Sequence, residues 1–185
     1  MPHTEKIPQE LSQVLLDEST IQARIAELAA ELDRDYAGEE IVLICVLKGA
    51  FLFTSDLMQN MVSRVAVDFI SISSYGEATK SSGVVKMVKD MEESIRGRHV
   101  LIVEDIVDTG LTLDYLRRSL LMREPKSLKI CSLLSKPARR KTDVQIDYLG
   151  FTIEDHFVVG YGLDYLSFYR NLPYIGVLDP SRIKD

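Results

Sequence analysis

Residues 100–103 form an apolar run, Val-Leu-Ile-Val, that passes directly into two carboxylates, Glu104 and Asp105. A short, continuous apolar run predicts a strand buried on both faces, as in a parallel sheet. The loop after it carries a third carboxylate, Asp108, and leucines then recur at helical spacing from Leu113, which predicts a helix. Because ligands bind at the carboxyl ends of strands in open α/β sheets, this segment predicts a ligand site.

The loop between this strand and helix contains Thr109, Gly110 and Thr112. A helix N-terminus presents unpaired N–H groups and the positive end of the helix dipole, which suits a phosphate. Gly110 lets the backbone approach closely, and the two threonine hydroxyls add donors. The neighbouring carboxylates can accept from hydroxyls or hold a hydrated metal, so the segment suits a phosphorylated sugar. A buried strand followed by a solvated acidic turn is the purely structural alternative.

Strands and helices are predicted to alternate along the rest of the chain. Apolar runs predict strands at 41–47, 65–70 and 128–134, and helical spacing predicts helices at 21–36, after Ser19, and at 50–60. This alternation predicts an α/β fold, a parallel twisted sheet with helices on both faces. The length of 185 residues fits a single domain covering 1–185.

Two stretches depart from this alternation. Residues 71–83 are rich in small polar side chains, which is typical of either a flexible lid or a disordered surface loop. The stretch 151–185 has many aromatic residues and glycines, which favours a small cap over the sheet.

Composition narrows the classes of partner. A net charge of −6 disfavours nucleic acid and anionic membranes. The first residues lack the apolar core of a signal peptide, and no apolar run approaches membrane length. Cys45 and Cys131 lie in apolar strand-like runs, so buried thiols are expected rather than a disulfide. A cytoplasmic location is expected.

Residues 100–112 resemble the phosphoribosyl-diphosphate motif of the type I phosphoribosyltransferases. Four further segments occur in the order found in that family: Leu-Lys-Gly at 47–49, Ser-Tyr-Gly at 74–76, Ser-Leu-Leu-Ser-Lys at 132–136, and Phe-Val-Val-Gly-Tyr-Gly-Leu-Asp-Tyr at 157–165. Together they resemble the hypoxanthine-guanine phosphoribosyltransferases, in the bacterial branch. The resemblance implies that fold, with a small cap, or hood, formed by the N- and C-terminal segments.

The resemblance implies the following residues for phosphoribosyl diphosphate: Lys48, Gly49, Glu104, Asp105, Asp108, Thr109, Gly110, Thr112 and Arg170. The Lys48–Gly49 loop, which contains a non-proline cis peptide in that family, would grip the pyrophosphate together with Arg170. Glu104 and Asp105 would hold the ribose hydroxyls, and residues 108–112 would cradle the 5′-phosphate. Asp108 would be the catalytic acid/base at purine N7.

The resemblance also implies a purine pocket made of Lys136, Phe157, Val158 and Asp164. Lys136 would donate to the purine O6, Phe157 would stack on the base, and Val158 would read it through its backbone. Ser74 and Tyr75 would lie on the lid. On the residues alone, Lys136 is more simply explained as a solvated lysine, and Lys48–Gly49 as a plain strand–helix turn.

The implied cofactor is Mg²⁺, held by Glu104, Asp105 and Asp164, and the implied assembly is a homodimer or homotetramer. The implied activity is purine salvage: transfer of the phosphoribosyl group to N9 of hypoxanthine or guanine, with release of pyrophosphate. Three alternatives stay open: a receiver domain with a strand-end acidic pair, a transferase-like regulator that binds RNA or a partner, and a transferase preferring pyrimidines or xanthine.

Overall fold

The computed structural model describes residues 8–74 and 85–183 and contains a six-stranded sheet. Its strands are β2 Ile41–Leu47, β3 Val65–Ser74, β4 Val85–Lys89, β5 His99–Val107, β6 Ser127–Ser135 and β7 Tyr148–Thr152. Their order across the sheet is β4-β3-β2-β5-β6-β7. All neighbours pair in parallel except β4, which is antiparallel to β3 at one edge. The predicted parallel sheet is therefore confirmed.

Helices cover both faces of this sheet, as predicted. They are α1 Glu18–Asp35, α2 Phe51–Asn60 and α3 Leu111–Leu121. One buried apolar cluster joins α1 and α2 to side chains such as Leu43 and Leu101, and a second joins α3 to side chains such as Ile44 and Ile102. Helix α1 begins before Ser19 because Asp17 caps it, accepting a hydrogen bond from the Thr20 N–H at 2.7 Å.

Strand β5 is longer than the apolar run that predicted it. Beyond residue 103 it continues to Val107, and Glu104 and Val107 pair with Ser132 and Ser135 of β6. Backbone pairing does not require apolar side chains, so the strand continues through the two carboxylates. Glu104 and Asp105 therefore lie on a sheet strand rather than in a loop.

A second, three-stranded sheet combines the two ends of the chain. It contains β1 Leu11–Leu16, β8 Val158–Val159 and β9 Ile175–Leu178, in the order β1-β9-β8. Both pairings are antiparallel. This confirms a small cap built from the N- and C-terminal segments. The two cap strands from the C-terminal segment, β8 and β9, follow β7, which still belongs to the larger sheet through Thr152.

The segment expected to be a lid is described only at its margins. Residues 71–74 complete β3 and pair with β4, so the polar stretch does not begin as a loop at residue 71. Ser74 is described through its backbone alone, and Tyr75 and the rest of the expected lid lie outside the described residues. Cys45 and Cys131 are buried free thiols, as predicted. In the described ranges, no helix is both long and apolar enough to cross a membrane.

Candidate active site

The carboxyl end of β5 and the N-terminus of α3 enclose a cavity of about 180 Å³. It is lined by Glu104, Asp105, Ile106, Val107, Asp108, Thr109, Gly110, Thr112 and Leu113. Gly110 precedes the helix with φ +81°, and a Cβ there would lie 2.8 Å from the carbonyl oxygen of Thr142. Only glycine fits this conformation and this space. The carboxylates and the hydroxyl-bearing loop predicted from sequence thus meet in one cavity.

The two carboxylates on β5 interact with each other in a poorly solvated place. Burial, and then the charge of Asp105, raise the pKa of Glu104 well above its ordinary value. Burial also raises the pKa of Asp105, although its side chain accepts a hydrogen bond from the Ile106 N–H at 2.8 Å. A buried like-charged pair favours the approach of a cation or of hydroxyl donors.

The loop after β2 lies against this pair. The peptide bond between Leu47 and Lys48 is cis, as the family resemblance implies. Lys48 is exposed, whereas Gly49 is buried with its backbone directly against the Asp105 carboxylate. Gly162, at φ +95°, packs against the carbonyl of Gly49, where a Cβ would lie 2.1 Å from the oxygen. The loop is therefore fixed between β5 and the segment that follows β8.

Arg170 and Asp164 form a partly buried ion pair beside this loop. The Arg170 Nη2 lies 2.7 Å from Asp164 Oδ1, and its Nη1 donates to the Gly162 carbonyl at 2.6 Å. The other Asp164 oxygen accepts from the Ser167 N–H at 2.8 Å. The positive charge of Arg170 also acts on Asp105.

The three carboxylates assigned to magnesium are not gathered into one cluster. In residues 8–74 and 85–183, no group of three or more His, Cys, Asp or Glu side chains is placed to hold a metal ion. Mg²⁺ is usually bound by one or two carboxylates together with substrate phosphates and waters. Glu104 and Asp105 fit that role, whereas both oxygens of Asp164 are already engaged by Arg170 and Ser167.

Lys136 lies at the end of β6 and is 7 % exposed, so it is not a solvated surface lysine. Its ammonium donates to the His156 carbonyl oxygen and lies 3.9 Å from Asp155 Oδ1. Burial is the main cause that lowers the pKa of Lys136, opposed by the charges of Asp108 and Asp155. The charge of Asp108, which lines the β5 cavity, therefore acts on Lys136 at the end of β6.

Phe157 and Val158 present an aromatic ring and backbone groups near Lys136. The Phe157 ring is 42 % exposed and meets the Tyr165 ring edge-to-face, with centroids 5.6 Å apart. The Phe157 carbonyl accepts from the Leu178 N–H, so the adjacent Val158–Val177 pair is the non-hydrogen-bonded kind. The backbone N–H and C=O of Val158 therefore point away from β9, outward from an edge strand.

Two basic residues that were not predicted from the sequence, Arg139 and Arg140, lie next to residues that line the cavity. The Nε of Arg139 is 3.0 Å from Asp108 Oδ1. The Nη2 of Arg140 donates to Ser135 Oγ at 2.7 Å. Their position just after Lys136 and a proline could have marked both arginines as candidate site residues. The sequence does not show, however, in which direction either side chain points.

Comparison with known proteins agrees with this geometry. The family model described as phosphoribosyl transferase domain matches residues 13–166. The chain is 49% identical over 172 residues to the hypoxanthine-guanine phosphoribosyltransferase of Bacillus subtilis, covering 93% of this chain and 96% of that one. It is 50% identical over 182 residues to the protein of the same name from Mycobacterium tuberculosis, covering 95% and 90% respectively.

The fold is also similar to a solved structure of the same kind. A hypoxanthine phosphoribosyltransferase from Staphylococcus aureus superposes with a TM-score of 0.91 at 46% identity, over 95% of this chain and 96% of that one. Matches of this length and identity exclude the receiver-domain alternative. The chain therefore belongs to the phosphoribosyltransferase family, in its hypoxanthine-guanine branch.

Proposed function

We propose that this enzyme transfers the 5-phosphoribosyl group from phosphoribosyl diphosphate to N9 of hypoxanthine or guanine, releasing pyrophosphate in purine salvage. The observation that carries the proposal is the single cavity in which three carboxylates face the N-terminus of a helix. That cavity offers acceptors for sugar hydroxyls and donors for a phosphate at adjacent positions. The relatives named above bear the corresponding enzyme name.

Glu104 and Asp105 would bind the ribose hydroxyls, and the loop from Asp108 to Thr112 would cradle the 5′-phosphate. The raised pKa values of the β5 pair support this assignment, because such carboxyls gain most from hydroxyl donors or a cation. Lys48, Gly49 and Arg170 would contact the pyrophosphate. Gly49 packs against Asp105 and Gly162, and Arg170 donates to the Gly162 carbonyl, which supports a shared role for this loop and Arg170.

On the base side, Lys136 would donate to the 6-oxo group, Phe157 would stack on the purine, and Val158 would pair with it through its outward backbone groups. The Lys136 ammonium is buried and has three N–H donors, of which the His156 carbonyl accepts from one, so a donor is left for the base. Asp164 would join the pocket where the base meets the pyrophosphate. Adenine has an amino group at C6, which is a hydrogen-bond donor like the Lys136 ammonium. The two donors would leave each other unpaired, so adenine should bind poorly.

The chemistry follows from charge. Breaking the bond between C1 and the pyrophosphate oxygen leaves positive charge on the ribose and negative charge on the leaving group. Mg²⁺, held by Glu104, Asp105 and substrate oxygens, would neutralise the leaving pyrophosphate. The protein holds N9 in line with C1, and Asp108 removes the N7 proton as N9 attacks.

We also propose that the enzyme works in the cytoplasm as a homodimer or homotetramer. Helix α2 carries Phe51, 40 % exposed, and Met58, 37 % exposed, seven residues apart and hence on one face. A second copy of the chain would cover this face. Sedimentation equilibrium should give a mass that is a multiple of one chain, and Met58→Lys should shift it toward the monomer. The two buried free thiols fit a reducing compartment.

The activity is tested by measuring pyrophosphate release with phosphoribosyl diphosphate and each base in turn: hypoxanthine, guanine, xanthine, adenine and uracil. Release should require hypoxanthine or guanine, stop with a chelator and return with Mg²⁺. Release with uracil alone, or with xanthine in strong preference to both other 6-oxopurines, would contradict the proposed substrate class.

A further inference from the structure

Arg139 is the last residue of a short 3₁₀ turn, Pro137–Arg139, that follows β6. Its guanidinium faces two carboxylates at once. Nε lies 3.0 Å from Asp108 Oδ1, and Nη1 lies 3.6 Å from Asp155 Oδ1. The arginine side chain is 49 % exposed, so its position reflects these charges more than burial in the core.

The partner atom on Asp108 is unusual. Asp108 Oδ1 is buried, and within residues 8–74 and 85–183 it accepts no hydrogen bond. The Arg139 Nε is at ion-pair distance, yet its N–H is not aligned to donate to that oxygen. The Asp108 side chain is nevertheless 40 % exposed, so the carboxylate oxygen that a ligand can reach is Oδ2, whereas Oδ1 lies buried beside Arg139.

Asp155 connects this pair to the lysine proposed to read the base. Its Oδ1 lies 3.6 Å from Arg139 Nη1 and 3.9 Å from Lys136 Nζ. One carboxylate therefore faces both cations and holds them beside each other. If the Arg139 side chain changed direction, its positive charge would change position relative to both Asp108 and Lys136.

We propose that Arg139 is a positioning residue for the transfer reaction: it holds the buried Oδ1 of Asp108, so that the other carboxylate oxygen, Oδ2, is turned toward the purine N7 proton, and Asp155 holds Arg139 in turn. The assignment rests on the proposed function. Exposed ion pairs usually contribute little because water replaces either partner. Here the acceptor atom is buried, so water does not replace Arg139 without a change in the direction of the Asp108 carboxylate.

The first test compares Arg139→Gln, Arg139→Lys and the control Arg96→Gln. Arg96 pairs with Glu124 at 2.8 Å on the surface, so its variant tests loss of an arginine away from the site. Loss of a residue that orients a metal ligand typically lowers affinity or activity by about ten- to hundredfold. Arg139 orients Asp108 in a comparable way, so Arg139→Gln should lower kcat for hypoxanthine by about tenfold. The KM for phosphoribosyl diphosphate should stay within about twofold. Arg139→Lys keeps the charge and should recover most of kcat.

The second test asks whether Arg139 acts through Asp108. In the Asp108→Asn background, Arg139→Gln should cause no further loss of kcat, because the group that it orients has been removed. The same loss in both backgrounds would overturn the assignment, as would an unchanged kcat in Arg139→Gln or failure of lysine to recover it. Absence of wild-type activity with every base would overturn the proposed function itself, and this inference with it.

Discussion

The backbone of Gly49 lies so close to Asp105 that a Cβ at position 49 would fall 1.5 Å from the carboxylate Oδ2. No side chain fits there unless the carboxylate moves. The loop after β2 and the acidic end of β5 are thus in direct contact across neighbouring strands. This contact places the proposed pyrophosphate loop beside the proposed ribose carboxylates.

We expect Gly49→Ala to weaken phosphoribosyl-diphosphate binding, because the added methyl group must displace Asp105 or the loop. Isothermal titration calorimetry should show a loss of about tenfold or more in affinity, since a displacement of about 1 Å in a positioned site can cost far more. Gly38→Ala is the control: Gly38 has φ +81° but no atom within 4 Å of its missing Cβ. That variant should lose stability and keep its affinity. Equal affinities in both variants would show that the Gly49 contact is not part of the binding site.

The sequence predicted the sheet well where apolar runs coincide with strands. Strand β2 matches residues 41–47 at both ends because six of its seven side chains are buried. Strand β5 was predicted too short because Glu104 and Asp105 interrupt the apolar run although backbone pairing with β6 continues. The strand pairing of the cap sheet could not be predicted from the sequence, because the paired residues of β1 and β9 are 159 or more positions apart and β8 contains only two residues.

Glu104→Gln should raise the free energy of unfolding at neutral and alkaline pH. The pKa of Glu104 is raised by burial and by Asp105, so its ionised form is disfavoured in the folded protein. That cost is absent below the ordinary pKa near 4.5 and grows as the pH rises toward the folded-state value. In urea unfolding, the advantage of the variant should be larger at pH 8 than at pH 5, because Glu104 loses its proton at a higher pH in the folded protein than in the unfolded chain.

Glu40→Gln is the control for that experiment, because Glu40 is exposed in a surface pair with Arg64. Its unfolding free energy should differ little from that of the wild type at either pH. If Glu104→Gln raises the free energy of unfolding equally at pH 5 and pH 8, burial does not disfavour the ionised form of Glu104 in the folded protein.

Lys136→Ala should narrow the preference for 6-oxopurines over adenine. The ammonium is expected to form a charge-assisted bond with the 6-oxo group, which contributes about 1.5–3 kcal/mol. The ratio of kcat/KM for hypoxanthine to that for adenine should fall by about tenfold or more, measured at saturating phosphoribosyl diphosphate. Lys126→Ala, which removes an exposed partner of Glu39, is the control. An unchanged ratio in Lys136→Ala would refute the base-reading role.

The site was predictable in its residue types but not in its pairings. The family resemblance identified Asp108 and Lys136, and the structure adds that Asp108 faces Arg139 after β6 and that Lys136 faces Asp155 after β7. The family resemblance did not indicate that Asp164 pairs with Arg170 instead of joining Glu104 and Asp105. Such choices depend on the direction of long side chains at loop ends, which periodicity and motif spacing do not encode.

The central claim is that Asp108 performs acid/base chemistry in a cavity that binds phosphoribosyl diphosphate without it. The most direct measurement combines single-turnover formation of inosine monophosphate with calorimetric binding of phosphoribosyl diphosphate, for the wild type and for Asp108→Asn. Removing a general acid/base typically costs 10²–10⁴-fold, so the chemical step should slow by about a hundredfold or more while the affinity stays within about twofold. A variant that turns over near the wild-type rate, or one that no longer binds phosphoribosyl diphosphate, would contradict the assignment.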